Sequence, residues 1–316
     1  TYPYYLNRNA KNEESSVWSS MNRGYTWLVE NVLSYDKAFG NHSFAVVLGQ
    51  SAQRYTGRTV GGSAYDMVAY LEDKANIDFT TGLASDGRRT VYGGANDPNS
   101  LASYFGRLSY NYAERYMMQV TVRRDGSSRF GPNNKWATFP SVSMGWNLTN
   151  EAWMQKRPDW WTSTKLRLSW GKNGNEKIGN FRYTANVAFN NNYPFGIYGS
   201  SQKLILGSKP SGTPNPDLKW EESEQYNVGL DFGFLNNAIT FTTDYFVKKT
   251  NGMLKEMAVP SYLGESKPWG NVGSMKNEGI EFELSYKLNK KDWRFSVAAN
   301  FSYLKNELVD LGNADG

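Results

Sequence analysis

The chain has 316 residues, with 35 Lys and Arg against 30 Asp and Glu, and its net charge of +5 is spread along the sequence. Interspersed charges of this kind predict a solvated surface rather than a nucleic-acid groove, so we expect no nucleic-acid partner. The absence of Cys excludes disulfides, thiolate catalysis and Cys-ligated zinc.

Hydropathy excludes a helical membrane protein. The mean hydropathy is negative, and no stretch approaches the ~18 apolar residues of a membrane-spanning helix. Hydropathy does not exclude a transmembrane β-barrel, because barrel strands alternate apolar with polar residues. The chain begins at Thr1 without a signal peptide and ends just after a strand pattern, so we expect residues 1–316 to be an internal piece of a longer protein.

The first half of the chain predicts five strands joined as neighbours. Residues 1–20 are polar and irregular, typical of a loop end, and alternation begins near Tyr25. A short turn leads to a return strand through Leu48, and a long Gly-, Ser- and Asp-rich loop follows over about 58–99. The next strands are expected at 104–112, 116–125 and about 135–148.

The second half predicts five more strands. Residues 149–164 are expected to form a helical turn or an interfacial loop, and 165–171 read as a strand. The longest loop covers about 172–221 and has room for a small hairpin. The remaining strands are expected at 226–234, 239–247, 280–288 and 293–303.

The most regular pattern is the hairpin of 226–234 and 239–247, where apolar residues occupy every second position. This period is typical of a strand with one apolar and one polar face. Asn236 and Asn237 tolerate the left-handed backbone of a tight turn. Strands of about a dozen residues exceed the ~5–6 of globular sheets and suit the ~9–11 of a tilted membrane strand.

The connections alternate between short and long, and this alternation predicts a topology. Because successive connections of an up-and-down sheet lie at opposite ends, all short turns share one end and all long loops the other, with 149–164 as the overlong short connection. Outer-membrane barrels have short periplasmic turns and long extracellular loops. The sequence thus predicts an all-β, antiparallel segment of about ten strands within a larger transmembrane barrel. The short turns are 40–42, 113–115, 235–237 and 289–291, and the long loops are 58–99, 126–134, 172–221 and 251–275.

The two strand faces agree with a barrel. Aromatic residues near the short turns fall on the apolar face, as an interfacial girdle would place them: Tyr35, Tyr112, Tyr116, Phe234, Tyr286 and Trp293. The opposite face predicts a wide, hydrated lumen lined by Arg107, Asn111, Gln119, Arg123, Arg167, Asn227, Asp231, Asp244, Glu281 and Glu283. The alternative is a soluble antiparallel sheet with one wet face, which would have to bury far more aromatic surface than a sandwich of short strands requires.

Several motifs together resemble the SusC/RagA family of TonB-dependent outer-membrane transporters, in the family's order and spacing and over most of the chain. They are Arg123–Gly131, Phe139–Trp146, Lys165–Gly171 with Gly174-Asn175 and Ile178–Asn180, Asn215–Glu221, the 226–237 strand and turn, and Asn271–Glu281. Glu176 departs from the Gln expected in one motif. Barrels of this type have about 22 strands around a plugged lumen. Residues 1–316 would then form one partial barrel domain without plug domain or TonB box.

The resemblance implies a function and its partners. It implies energised import of oligosaccharides or peptides across the outer membrane of a Gram-negative bacterium. The expected partners are a SusD-type surface lipoprotein over the extracellular loops, the TonB complex through missing N-terminal regions, and outer-membrane lipid. Two alternatives from other classes are a barrel enzyme and a soluble, aromatic-rich carbohydrate-binding β protein.

No motif predicts catalysis, a metal or a cofactor. His42, the only His, lies in a short turn on the predicted periplasmic side. An outer-membrane enzyme usually needs a His beside a nucleophile or carboxylate near the outer rim, and His42 does not lie there. The run Lys172–Gly179 lacks the ending of a phosphate-binding loop, and Asp97–Asn99 is too sparse for a calcium loop. Glu281 and Glu283 are interpreted as lumen lining. We therefore expect no enzyme activity and no cofactor.

The longest loop holds the candidate ligand-binding residues. Aromatic rings among Asn, Ser and Gly suit stacking on sugar rings or gripping a peptide. They could equally pack the loops against each other or against a lid protein, and the sequence leaves both readings open. The candidates are Tyr183, Phe189, Tyr193, Phe195 and Tyr198.

Overall fold

The computed structural model describes residues 4–7, 10–12, 14–68, 75–189, 191–196, 203–260, 262, 266–290 and 292–312. Strands account for most of this range, with short 3-10 turns at Ile77–Phe79, Leu148–Asn150 and Ala152–Met154. The strands are β1 (Tyr4–Asn7), β2 (Ala10–Asn12), β3 (Ser16–Phe39), β4 (His42–Tyr65), β5 (Arg89–Tyr112), β6 (Tyr116–Ser127), β7 (Trp136–Asn147), β8 (Trp161–Asn175), β9 (Val187–Phe189), β10 (Tyr193–Phe195), β11 (Lys203–Ile205), β12 (Ser208–Pro210), β13 (Glu221–Phe234), β14 (Ile239–Asn251), β15 (Leu254–Glu256), β16 (Trp269–Asn271), β17 (Ser274–Lys290) and β18 (Trp293–Asp310).

Ten long strands form one antiparallel sheet in the order β18-β17-β14-β13-β8-β7-β6-β5-β4-β3. Each strand lies beside its predecessor in this sheet, which confirms the predicted up-and-down arrangement of about ten strands. Four two-stranded ladders lie outside it: β1 with β2, β9 with β12, β10 with β11, and β15 with β16. No helix within the described ranges is long and apolar enough to cross a membrane.

The chain forms two compact units, one of residues 1–28 and 53–100 and the other of 29–52 and 101–316. In the first unit the prediction of loop at 1–20 and 58–99 was wrong in part. β3 already begins at Ser16, β4 continues to Tyr65, and β5 begins at Arg89. Apolar alternation fades in these stretches, but the hydrogen-bond ladder of a sheet does not depend on apolar side chains.

The connection between β4 and β5, residues 66–88, is held by an ion pair between Asp66 and Arg88. Asp66 has a left-handed backbone, with φ of 64°. The Arg88 guanidinium donates to both Asp66 carboxylate oxygens at 2.6 Å and to Glu14 at 2.9 Å. These hydrogen bonds from Arg88 hold the pKa of the Asp66 carboxyl below its ordinary value and raise the pKa of Arg88.

In the second unit, backbone hydrogen bonds join the short turns into one continuous edge. The Ala113 amide donates to the Asn41 carbonyl at 2.7 Å, and Asn147 donates to Arg115 at 2.8 Å. Leu235 donates to Trp160 at 2.8 Å in the same way. The predicted grouping of short turns at one end is therefore confirmed for these turns. Of the last turn, predicted at 289–291, residue 291 lies outside the described residues.

The turn residues adopt the backbone that the sequence predicted for Asn. Asn236 and Asn237 have φ of 59° and 61°, and Leu235 joins them at 52°. The overlong connection contains two 3-10 turns, at 148–150 and 152–154. Within it, the Glu151 carboxylate accepts hydrogen bonds from Tyr116 Oη at 2.7 Å and Trp146 Nε1 at 2.9 Å. These bonds lower the pKa of Glu151.

The register confirms that one sheet face is apolar. Val228 lies opposite Leu168 on one side and Tyr245 on the other, and this row continues through Ile280 and Tyr303. A ladder of four rings crosses the same face, with centroid distances of 6.3, 6.1 and 6.3 Å along Phe232, Phe241, Phe282 and Phe301. We call this the apolar face. The girdle aromatics Tyr112, Tyr116, Phe234, Tyr286 and Trp293 share it by register.

The depth of the apolar face suits a bilayer. Rows containing Phe234 and Tyr226 are eight residues apart on β13, or about 27 Å along a strand. A strand tilt of ~40° reduces this to roughly 20 Å, close to the ~25 Å apolar band of membrane barrels. The Phe234 row lies beside the short turns, and the Tyr226 row lies toward the long loops.

The other face, the polar face, carries charges in ordered pairs. Arg167 donates from Nε to Asp231 at 2.8 Å and from Nη2 to Asp244 at 2.8 Å. Glu281 lies opposite Asp244, and Glu283 lies two residues further on the same face. The register places all ten predicted lumen residues on this face, which confirms the assignment made from the alternation.

Candidate binding surface on the outer loops

A buried cluster, which we call the hub, lies where the long loops of the second unit leave the sheet. Phe130 and Leu218 are completely buried. The Trp220 ring centroid lies 5.2 Å from that of Phe130 and 5.5 Å from that of Phe139. Ile178 completes the buried set, and partly buried Leu101, Ala137, Tyr183, Leu254 and Trp269 pack against it. Residues from three loops thus share one small core.

Side-chain amides connect the loop backbones around the hub. Asn215 Nδ2 donates to the Trp269 carbonyl at 2.8 Å. Asn271 Nδ2 donates to the Lys219 carbonyl at 2.7 Å, and the Lys219 amide donates back to Asn271 Oδ1 at 2.8 Å. The reciprocal pair satisfies both backbone groups of Lys219. These contacts attach the loop after β14 to the segment before β13.

The Glu221 carboxylate links the start of β13 to β15 and to the end of β8. Its Oε2 accepts the Leu254 amide at 3.1 Å, and its Oε1 accepts Asn175 Nδ2 at 3.1 Å. Close packing also requires glycine at one position, because the Phe139 ring lies where a Cβ atom of residue 174 would be. The motif Asn215–Glu221 therefore serves to hold the loops together.

An arm of two small ladders projects from this hub within the 172–221 loop. β9 pairs with β12, and β10 pairs with β11. This confirms that the loop contains hairpin structure. Tyr193 and Phe195 lie on the same face of β10, with their rings edge to face at 5.2 Å. Tyr193 faces Ile205, and Phe195 faces Lys203, across the ladder.

The arm exposes much apolar surface. Phe189, Tyr193 and Phe195 are 75%, 65% and 62% exposed. Sequence analysis missed the aliphatic part of this surface, which is Leu204, Ile205 and Leu206. Its signal was an apolar run of three residues in an otherwise polar loop. Exposed apolar surface of this extent marks an interaction site more often than isolated exposed residues do.

The structure separates the five predicted binding residues. Tyr193 and Phe195 lie together, and Phe189 lies on the neighbouring ladder of the arm. Tyr183 packs against the hub instead, where its ring supports the loops. Tyr198 lies outside the described residues. The candidate surface is therefore the arm, and Tyr183 contributes to it only by supporting its base.

His42, the only His of the chain, lies among aromatic rings. His42 Nδ1 lies 2.8 Å from Tyr110 Oη, and its ring contacts Phe39 and Tyr112 at the short-turn edge. Across the described ranges, no group of three or more His, Cys, Asp or Glu side chains is arranged to hold a metal ion.

Comparisons with known proteins agree with this architecture. A family model described as "TonB dependent receptor-like, beta-barrel" matches residues 1–316. The TonB-dependent receptor P3 of Formosa agariphila is 34% identical over 91% of this chain and 28% of its own length. The TonB-dependent receptor SusC of Bacteroides thetaiotaomicron is 33% identical over 90% of this chain and 27% of its own.

A solved structure gives the same result in three dimensions. A structure titled as the RagAB peptide importer in the "closed-closed" state superposes with a TM-score of 0.79 at 26% identity. The match covers 98% of this chain and 33% of that one. This chain therefore spans only about a quarter to a third of the proteins it resembles.

Proposed function

This chain belongs to the TonB-dependent receptor β-barrel family of the outer membrane, and from that we propose that it forms part of the wall and outer loops of an energised importer. The observation that carries the proposal is the division of the same ten strands between an apolar face and a charged face. Strands built in this way separate lipid from a hydrated passage. The short-turn end would face the periplasm, and the long loops would face the exterior.

We propose that the cargo is an oligosaccharide or a peptide. The relatives named above are a SusC receptor and the structure titled as a peptide importer, and they support a bulky hydrophilic ligand. The exposed arm supports the same proposal, because rigid aromatic rings provide contact area at low entropic cost. Tyr193 and Phe195 would make these contacts, with Phe189 beside them.

We also propose its partners. A SusD-type surface lipoprotein would cover the outer loops and contact the arm, and the TonB complex would act through segments outside this chain. A catalytic role is not part of the proposal, because the matched relatives are named as receptors and an importer. The position of His42 at the short-turn edge supports the same view, since it lies among aromatic rings.

The arm can be tested in the intact protein. We expect Tyr193→Ala combined with Phe195→Ala to weaken uptake of maltodextrins or of a casein digest, or capture of the lipoprotein, at least several-fold, since a few anchors dominate an interface. Tyr262→Ala is the matched control, because Tyr262 is an exposed ring, 85% accessible, on a neighbouring loop. Barrel assembly should be normal in both variants. Unchanged uptake and capture in the double variant would contradict the assignment of the arm.

A further inference from the structure

A row of charged residues crosses the apolar face just beyond its aromatic margin toward the long loops. Trp170 and Tyr226 lie opposite each other in the last aromatic row. Two residues further along β8, β13, β14, β17 and β18, the register aligns the row that we call the charged collar: Lys172, Glu224, Lys249, Lys276 and Glu307. Aromatic rings of a membrane barrel mark the interface. The collar therefore lies at the depth of lipid head groups.

The centre of the collar places two like charges directly opposite each other. Lys249 pairs in register with Lys276. Like charges at directly opposed positions destabilise a sheet. Each lysine also has an acid directly opposite on its other side, Glu224 for Lys249 and Glu307 for Lys276. Glu224 Oε1 accepts hydrogen bonds from Trp170 Nε1 at 2.8 Å and Tyr226 Oη at 3.0 Å. An anion beside the two ammonium groups would remove their repulsion.

The two lysines differ in how far they are already neutralised. Lys276 Nζ lies 2.7 Å from Glu278 Oε2, and Lys305 approaches the other oxygen of the same carboxylate at 3.5 Å. Lys249 is exposed and, in the part of the chain that the structure describes, makes no ion pair. Lys249, with Glu224 opposite it but without a close ion pair, is thus the less neutralised cation of the two, and Lys276 is the more neutralised one.

We propose that the collar binds the phosphate of a lipid head group in the leaflet nearest the long loops, with Lys249 and Lys276 as its cationic contacts. The acyl chains of that lipid would lie along the rows of Val228 and Leu230 below. Long lysine stems reach from an apolar surface to a charged head group. Each lysine near an anionic surface adds about a fivefold preference for the anionic lipid. This contact lies on the outside of the wall and is separate from import.

The test measures lipid preference at the collar itself. A bimane fluorophore is attached to the intact protein at Asn251→Cys, in a background without other cysteines, since Asn251 is one row beyond Lys249 on the same face. The protein is placed in phosphatidylcholine vesicles with 5-doxyl phosphatidic acid or 5-doxyl phosphatidylcholine. We expect phosphatidic acid to quench more strongly. Lys249→Gln with Lys276→Gln should lower that preference by at least about threefold.

Three controls make the result decisive. Lys248→Gln removes a neighbouring charge on the polar face, opposite Gln225, and should leave the preference unchanged. Lys249→Gln alone keeps the Lys276–Glu278 pair and should still lower the preference if the double variant assembles poorly. The proposal is overturned if the parent shows no preference, if Lys248→Gln has the same effect as the double variant, or if inorganic phosphate abolishes the preference, which would indicate a site for free anions.

Discussion

The Arg167 guanidinium lies over the backbone of Gly229, where a Cβ atom would come within 2.6 Å of its Nη2. Gly229 pairs with Arg167 on one side and with Asp244 on the other. The missing side chain leaves the gap through which Arg167 reaches Asp244 across an intervening strand. Glycine at this position therefore permits an ion pair on the polar face.

Gly229→Ala should displace Arg167 from Asp244 and destabilise the barrel. We expect a loss of roughly 1–3 kcal/mol in the free energy of unfolding, as for other overpacked sites. A urea titration of the intact protein in detergent micelles would measure it. Gly94→Ala is the control, because a Cβ atom at Gly94 meets nothing within 4 Å. Equal, small effects of both changes would show that the gap at Gly229 is not needed.

The strands within the apolar band could be predicted because lipid imposes a residue pattern there. The hairpin of 226–234 and 239–247 alternates with only Thr243 and Phe246 as exceptions, and its two faces were assigned correctly from that pattern. Ser16–Gly24 and Arg89–Asn99 were missed because these extensions carry polar residues without regular alternation. A strand of that composition has the same local pattern as a loop.

The hub was missed for a different reason. Phe139 occupies a polar-face position of β7, and Trp220 precedes β13, so each was interpreted by its own strand or loop. Their contact depends on three loops converging, which periodicity does not encode. Tyr183 was grouped with the binding residues for the same reason, since its sequence neighbourhood resembles that of Tyr193.

Trp220→Ala should loosen the outer loops and leave the strands intact. Removing a large buried ring costs roughly 3–5 kcal/mol, and Trp220 is only 5% exposed. Hydrogen exchange should therefore accelerate around Phe130 and Ile178 but not in β14. Leu206→Ala serves as the control, because Leu206 is 77% exposed. Exchange that is unchanged near Phe130 would contradict the hub as the element that holds the loops.

Acid should release the Asp66–Arg88 pair only well below neutrality. Because Arg88 depresses the folded pKa of Asp66, the pair stabilises the fold above the unfolded pKa of about 3.9 and this stabilisation is lost as the pH falls through the lower folded pKa. The Tyr65 amide donates to the Arg88 carbonyl at 3.0 Å and reports on the pair.

We expect the protection factor of that amide, corrected for intrinsic exchange, to be constant from pH 7 to about pH 5 and to fall below about pH 4. In Asp66→Asn the protection should be lower at pH 7, without this acid dependence. An identical profile in the variant would show that the carboxylate does not fix this connection.

The two faces of β13 should respond differently to a charge. Val228→Arg places a guanidinium on the apolar face and should cost about 2–4 kcal/mol if the site is near the bilayer midplane. Asn227→Arg, its sequence neighbour on the polar face, should cost little in a hydrated lumen. The heat-modifiable folded fraction of the intact protein in membranes measures both. A larger loss in Asn227→Arg would indicate that the faces are reversed, and comparable losses would indicate that neither face contacts lipid.

Accessibility from outside the cell tests the barrel topology most directly. Single cysteines at Ser208, on the arm, and at Asn236, in a short turn, would be exposed to an impermeant maleimide on whole cells expressing the intact protein. Both positions are exposed in the structure. We predict that Ser208→Cys reacts on intact cells and that Asn236→Cys reacts only after the outer membrane is opened. Labelling of Asn236→Cys on intact cells would contradict the account.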